Sequence, residues 1–175
     1  MGSFLVGVVV VLGVVGIWCL VTFNKFVRLR NLVTESWKQI DVQLQRRHDL
    51  IPNLVGTVKG YAAHERETLH IVVKARTLAI QAHGPVKISE TENDLTKALE
   101  RLFVVAEAYP ELKASQNFLQ LQRELSDTED RIAAARRIYN SNVRLYNVRQ
   151  ESLPSNVVAT RMGLVLAEYY EGAGE

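Results

Sequence analysis

The chain has little of what usually advertises chemistry. Its one cysteine, Cys19, excludes an intrachain disulfide and lies in an apolar run, where it reads as a small hydrophobe. Neither sign of charge dominates: 21 Lys and Arg stand against 19 Asp and Glu, a net +2. Without a broad basic face, nucleic-acid binding is not expected. No charged side chain precedes Lys25. There is no strand alternation, low-complexity segment, internal repeat or glycine-rich phosphate loop. Pro52, Pro85, Pro110 and Pro154 are the strong punctuation in a pattern that is otherwise helical.

What is present begins with Phe4 to Phe23, FLVGVVVVLGVVGIWCLVTF, twenty residues without a charge. At about 1.5 Å per residue they make roughly 30 Å of helix, the thickness of a hydrocarbon core. A cleaved signal peptide is the rival reading, but it wants a basic start and a small-residue cleavage site, and neither is found. Trp18 before Cys19 spoils a lipoprotein-type acylation site, and Gly2 lacks the Ser or Thr at position 6 that myristoylation needs. The run therefore reads as an uncleaved single span. Lys25, Arg28 and Arg30 follow it, so the positive-inside rule puts the rest of the chain in the cytoplasm and the N-terminus outside the inner membrane. The same three cations are the candidate contacts for anionic lipid headgroups. Gly7, Gly13 and Gly16 form no small-xxx-small pair, so the span carries no strong dimerisation signal.

Beyond the span, Val33, Trp37, Ile40 and Leu44 step at helical spacing, and Ile51, Val55, Val58, Ala62, Leu69 and Val72 continue it. Pro52 is expected to open a second helix after a turn near Asp49 to Asn53, with Asp49 as its cap; a kinked single helix is the alternative. His83-Gly84-Pro85 stops a helix, and Ser89-Glu90-Thr91-Glu92 reads as a capping box starting the next, which ends at Tyr109-Pro110. A helix of about 35 residues then starts near Ser115. Its seam is Phe118, Leu121, Leu125, Thr128, Ile132, Ala135, Tyr139, Asn142 and Tyr146. After Leu153-Pro154-Ser155-Asn156, residues 157–171 form a weakly charged amphipathic segment, packed on the bundle or laid at the bilayer surface. The expected fold is all-α: a transmembrane anchor over 1–24, an antiparallel up-and-down bundle of about four helices over 25–152, and a short C-terminal amphipathic helix and tail over 153–175.

The runs WKQIDVQLQRRHDLIPNLVGTVKGYAAHERETL and RLFVVAEAYPELKASQNFLQLQRELSDTEDRIAAARRIYN, with LPSN after them, resemble the LemA family of bacterial membrane proteins. The resemblance covers nearly all of the chain after the anchor. It implies a signal anchor followed by a small helical bundle, and it implies no activity. Some members take part in building magnetosome membranes, and members often accompany a membrane metalloprotease. The stretch after Asn156 departs from the Phe- and Gly-rich sequence typical of the family, so a role for this segment carries over least.

Chemistry has three candidates here. Glu67-Thr68-Leu69-His70 puts two metal ligands on one helix face, but a di-iron bundle needs that step twice, and exposed helix charges are the simpler reading. His48-Asp49 beside Arg46-Arg47 offers a buried acid-base pair, against the simpler helix cap. Tyr139, Asn142 and Tyr146 stand where apolar residues would pack better, and Asn140 and Asn147 repeat a Tyr-Asn pair seven residues apart. These five either set helix register or border a groove for a partner or peptide. The expected protein is not an enzyme and takes no cofactor or metal. It works through protein contacts, as a homo-oligomeric scaffold in membrane organisation or envelope homeostasis or as an adaptor of a membrane protease, with membrane lipids as its other partner.

Overall fold

Pro52 does not end the helix that contains it. In the computed structural model, which describes residues 1–172, helix α1 runs unbroken from Gly2 to Tyr61, about 90 Å long. The expected turn at Asp49–Asn53 is therefore replaced by one at Ala62–Glu65, where the Glu65 N–H donates to the Ala62 carbonyl. Asp49 caps nothing: it lies mid-helix on an exposed face and accepts from Gln45 Nε2 at 2.9 Å. Helix continuity through a proline needs the carbonyl four residues back to find another donor. That carbonyl belongs to His48, and Arg76 Nε donates to it at 2.7 Å.

Helix α2 (Arg66–Gln81) returns along α1, and α3 (Pro85–Glu107) runs back beside it. The turn between them needs Gly84, whose φ of +83° suits glycine, and Pro85 follows at the first helical position. The helix thus starts four residues before the expected capping box. Ser89 and Glu92 are not cap residues but buried side chains of its first turns. A single-turn α4 (Pro110–Lys113) leads to α5 (Gln116–Glu151), 36 residues long, and α6 (Ser155–Arg161) closes the helical part. The fold is all-α, an up-down-up-down bundle of α1, α2, α3 and α5.

The α5 seam matches expectation except near its end, where Val143 and Asn147 are buried and Asn142 is only half-buried. A straight helix drifts about 20° per heptad from a strict seven-residue repeat, so after three heptads the inward position moves on by one.

The helices differ in length, and that difference organises everything else. The most apolar window of α1 buries none of its residues and is long enough to cross a membrane. Past that window, α1 and α5 each extend about 55 Å, whereas α2 and α3 reach about 24 and 35 Å. Four helices therefore share a core only at the far end, around Ile51, Leu54, Val72, Leu95, Leu102 and Phe118. Nearer the anchor, α1 and α5 would be left with a bare flank. The C-terminal segment fills it: Tyr170 joins Ile40, Leu44, Ile132, Tyr139 and Val143, while Ala159 of α6 joins Phe26 and Tyr146. Of residues 157–171, only those up to Arg161 are helical. The rest packs on the bundle as a non-helical run.

Candidate functional site

The Tyr-Asn repeat of α5 has a partner in residues 164–170. Asn147 donates from Nδ2 to the Ala167 carbonyl and accepts the Ala167 N–H, both at 2.9 Å. Asn140 does the same to Tyr170, both at 3.0 Å. Tyr146 donates to the Val165 carbonyl at 3.2 Å and Tyr139 to the Glu168 carbonyl at 2.8 Å. Gln150 adds a bond to the Leu164 carbonyl at 2.7 Å. The repeats agree in length: seven helical residues rise about 10.5 Å, and three residues of extended chain cover about 10 Å. One Tyr-Asn pair per two helical turns thus grips one triplet of the segment. Exposure follows the same count of three, with Leu164, Ala167 and Tyr170 turned inward and Val165, Leu166, Glu168 and Tyr169 exposed.

An asparagine amide offers a donor and an acceptor side by side, as a neighbouring strand does, so it reads main chain and not side chains. The side-chain anchor is Tyr170, 4% exposed, with its ring 5.7 Å from Trp37, which also meets Tyr139 at 5.2 Å. The seven hydrogen bonds contribute about 1 kcal/mol net each. Fixing each residue's backbone costs about as much, so burial of Tyr170 tips the balance towards docking.

Of the five residues expected to border a groove, Tyr139, Asn140, Tyr146 and Asn147 come together against this segment. Asn142 does not, and points instead to the Leu32 carbonyl of α1 at 3.4 Å. Gln150 and Trp37 were missed as contacts, and the segment, expected on the bundle or at the bilayer surface, was not linked to these residues. Gln150 had a signal, since it continues the same face three residues after Asn147. Lys25, Arg28 and Arg30 lie exposed on α1 just past the apolar run.

A second polar cluster sits deeper. Glu92 of α3 accepts from His48 Nε2 at 2.6 Å and from Arg47 Nη1 at 3.3 Å, and Arg47 Nη2 also donates to Thr96 Oγ1 at 2.8 Å. All three ionisable side chains are buried. The acid-base partner of His48 is thus Glu92 from another helix, not the adjacent Asp49. Glu67 and His70 lie on the exposed face of α2.

Burial, then the charge of Glu168, pushes the Tyr139 phenol up to about 12. Burial, then Glu92, raises Tyr170 against the opposing pull of Arg47 and Arg136. A free tyrosine titrates near 10. Raised phenols stabilise docking fully below about pH 10 and lose that contribution as pH climbs towards 12, because a tyrosinate cannot donate to the Glu168 carbonyl. In a Trp18→Phe background, Trp37 emission should hold steady to about pH 10 and shift red between about 10 and 12. A shift complete by pH 9 would contradict these phenol environments.

Residues 36–175 match the family model described as the LemA family. The chain is 27% identical over 178 aligned residues to Magnetosome protein MamQ 1 of Paramagnetospirillum magneticum, covering 87% of this chain and 65% of that protein. It is 28% identical over 145 residues to Protein LemA of Metamycoplasma hominis, covering 81% of this chain and 65% of the relative. MamQ of Magnetospirillum gryphiswaldense is 25% identical over 86% of this chain and 65% of its own length. The chain spans a little under two thirds of the length of these curated relatives.

Proposed function

The chain belongs to the LemA family, and from that premise we propose that it is a non-enzymatic, membrane-anchored helical module, a self-associating scaffold in membrane organisation or envelope homeostasis. The observation that carries this reading is α1 itself: one uninterrupted helix forms both the apolar run and the spine of the bundle. Such a rod ties the bundle rigidly to its span and so sets its height above the bilayer, which suits a building block. That several relatives are named magnetosome proteins supports a part in membrane organisation. The basic flank of Lys25, Arg28 and Arg30 favours an inner-membrane topology with the bundle in the cytoplasm, held to anionic lipid.

Crosslinking of the full chain in lipid vesicles, followed by native mass measurement, tests the reading. Homo-oligomers are expected there, and in cell membranes of known sidedness protease should shave the bundle only from the cytoplasmic face. A strict monomer, or a bundle digested from the periplasmic face, would sink it. One observation favours a second reading as adaptor of a membrane protease: the α5 repeat reads main chain and would accept an unfolded client. Crosslinks from position 147 to a protease or its substrates, and not to sister chains, would favour that alternative.

A further inference from the structure

We propose that the groove between α1 and α5 is an exchangeable site for an extended polypeptide, and that its second occupant is the 164–172 segment of a neighbouring copy. Four observations lead there. Recognition is mostly of main chain, through Asn140, Asn147 and Gln150, so the site asks only for an extended run with an aromatic anchor at the third rung. The segment of a second copy meets that demand by construction.

The segment is also separable from the rest of the chain. It hangs from Gly163, exposed and at φ +62°, and α6 before it is seated by Ala159 against Phe26 and Tyr146, a cluster whose border the segment reaches only through Leu164 and Ala167. Its seven side-chain hydrogen bonds all come from α5. On the α1 side, an open pocket of about 310 Å³ lies between the segment and Arg30, Val33 and Thr34, so contact with that wall is incomplete there.

The outer face of the segment carries Val165, Leu166 and Tyr169, 78%, 52% and 40% exposed, an apolar strip that one copy leaves in water. Geometry then favours a pair. Anchors crossing the same bilayer in the same sense keep neighbouring α1 rods pointing the same way. The segment runs antiparallel to α5, from Leu164 at Gln150 to Tyr170 at Asn140, and so climbs along α1 away from the anchor. A two-fold axis along the membrane normal preserves that direction. Two grooves facing each other across the axis can trade segments without reversing them, and the two apolar strips meet at the axis.

The inference rests on the self-association reading for its partner, and complementation separates the two. One full-length variant, Asn140→Ala with Asn147→Ala, keeps the segment and loses the grip. The other ends at Gly163 and keeps the grip without the segment. Each alone should remain unpaired in lipid nanodiscs holding two chains, as read by energy transfer between labels. Their mixture should pair one to one, and a synthetic peptide of residues 163–172 should compete. That peptide should bind the shortened chain at least tenfold more tightly than a shortened chain that also carries Asn147→Ala. Failure of the mixture to pair, with both chains folded by circular dichroism, overturns the proposal. If the shortened chain does not fold, full-length Tyr170→Asp replaces it under the same criteria. Should the unaltered chain and both single variants associate equally, exchange falls and the scaffold stands. Should the mixture pair while the unaltered chain stays monomeric, the groove accepts a free segment but the native chain does not exchange its own, and both readings fall.

Discussion

Replacing Glu92 by alanine is expected to cost the bundle about 3–5 kcal/mol, the penalty for breaking a buried ion pair by removing one partner. For a chain of this size that corresponds to a drop of roughly 10 °C in the unfolding midpoint. The reason is local. Arg47 and His48, 5% and 6% exposed, both donate to this one carboxylate, and the mutation leaves their donors in the interior facing a hole. Thr96 would still accept from Arg47 Nη2, so the guanidinium keeps one bond of two. Glu92→Gln should cost less, because its amide oxygen can still accept from one of the two. The decisive comparison replaces the cluster as a unit. Arg47→Met, His48→Leu and Glu92→Leu together should lose much less than Glu92→Ala alone, since the loss comes from orphaned charge and not from missing attraction. Circular dichroism of the full chain in detergent, melted by heat, measures each variant against the unaltered protein. A Glu92→Ala midpoint within about 2 °C of the unaltered protein would mean that the cluster does not exist as described.

The limits of the sequence are visible in the same residues. Apolar periodicity marked four bundle helices, the long α5 among them, because burial along one stripe leaves a repeating mark, but it divided the first two at Pro52 and not at Ala62–Glu65. It could not assign Glu92: a carboxylate at that position reads equally as a capping-box member or as an inward-facing partner, and the choice depends on Arg47, forty-five residues away. The Tyr-Asn pairs on α5 were visible as a seven-residue repeat. What they hold was not, because asparagine reads main chain and leaves no complementary mark in residues 164–170. Asn142 was misplaced for a smaller reason, the slow drift of a 3.6-residue helix against a seven-residue count. The C-terminal segment looked like an amphipathic helix because its inward residues recur every three, a spacing that helices and extended chains both allow.

Pro52 gives the sharpest test of such long-range compensation. A proline in a helix interior normally costs about 3 kcal/mol or more, partly through the hydrogen bond it cannot make. In α1 the carbonyl it abandons, that of His48, accepts from Arg76 of α2. Arg76→Met should therefore cost about 1–3 kcal/mol, the penalty for a polar group left without a partner. In a Pro52→Ala background the restored backbone N–H returns to the same carbonyl, and the same arginine mutation should then cost only a small fraction of that. A double-mutant cycle from urea titrations reads the difference as a coupling energy of about 1–2 kcal/mol between residues on different helices. If Arg76→Met costs the same with and without the proline, the arginine is serving something other than the gap in α1. If the coupling is found, the unbroken rod depends on α2 docking. The helix that carries the membrane anchor would then be straight only when the bundle around it is folded.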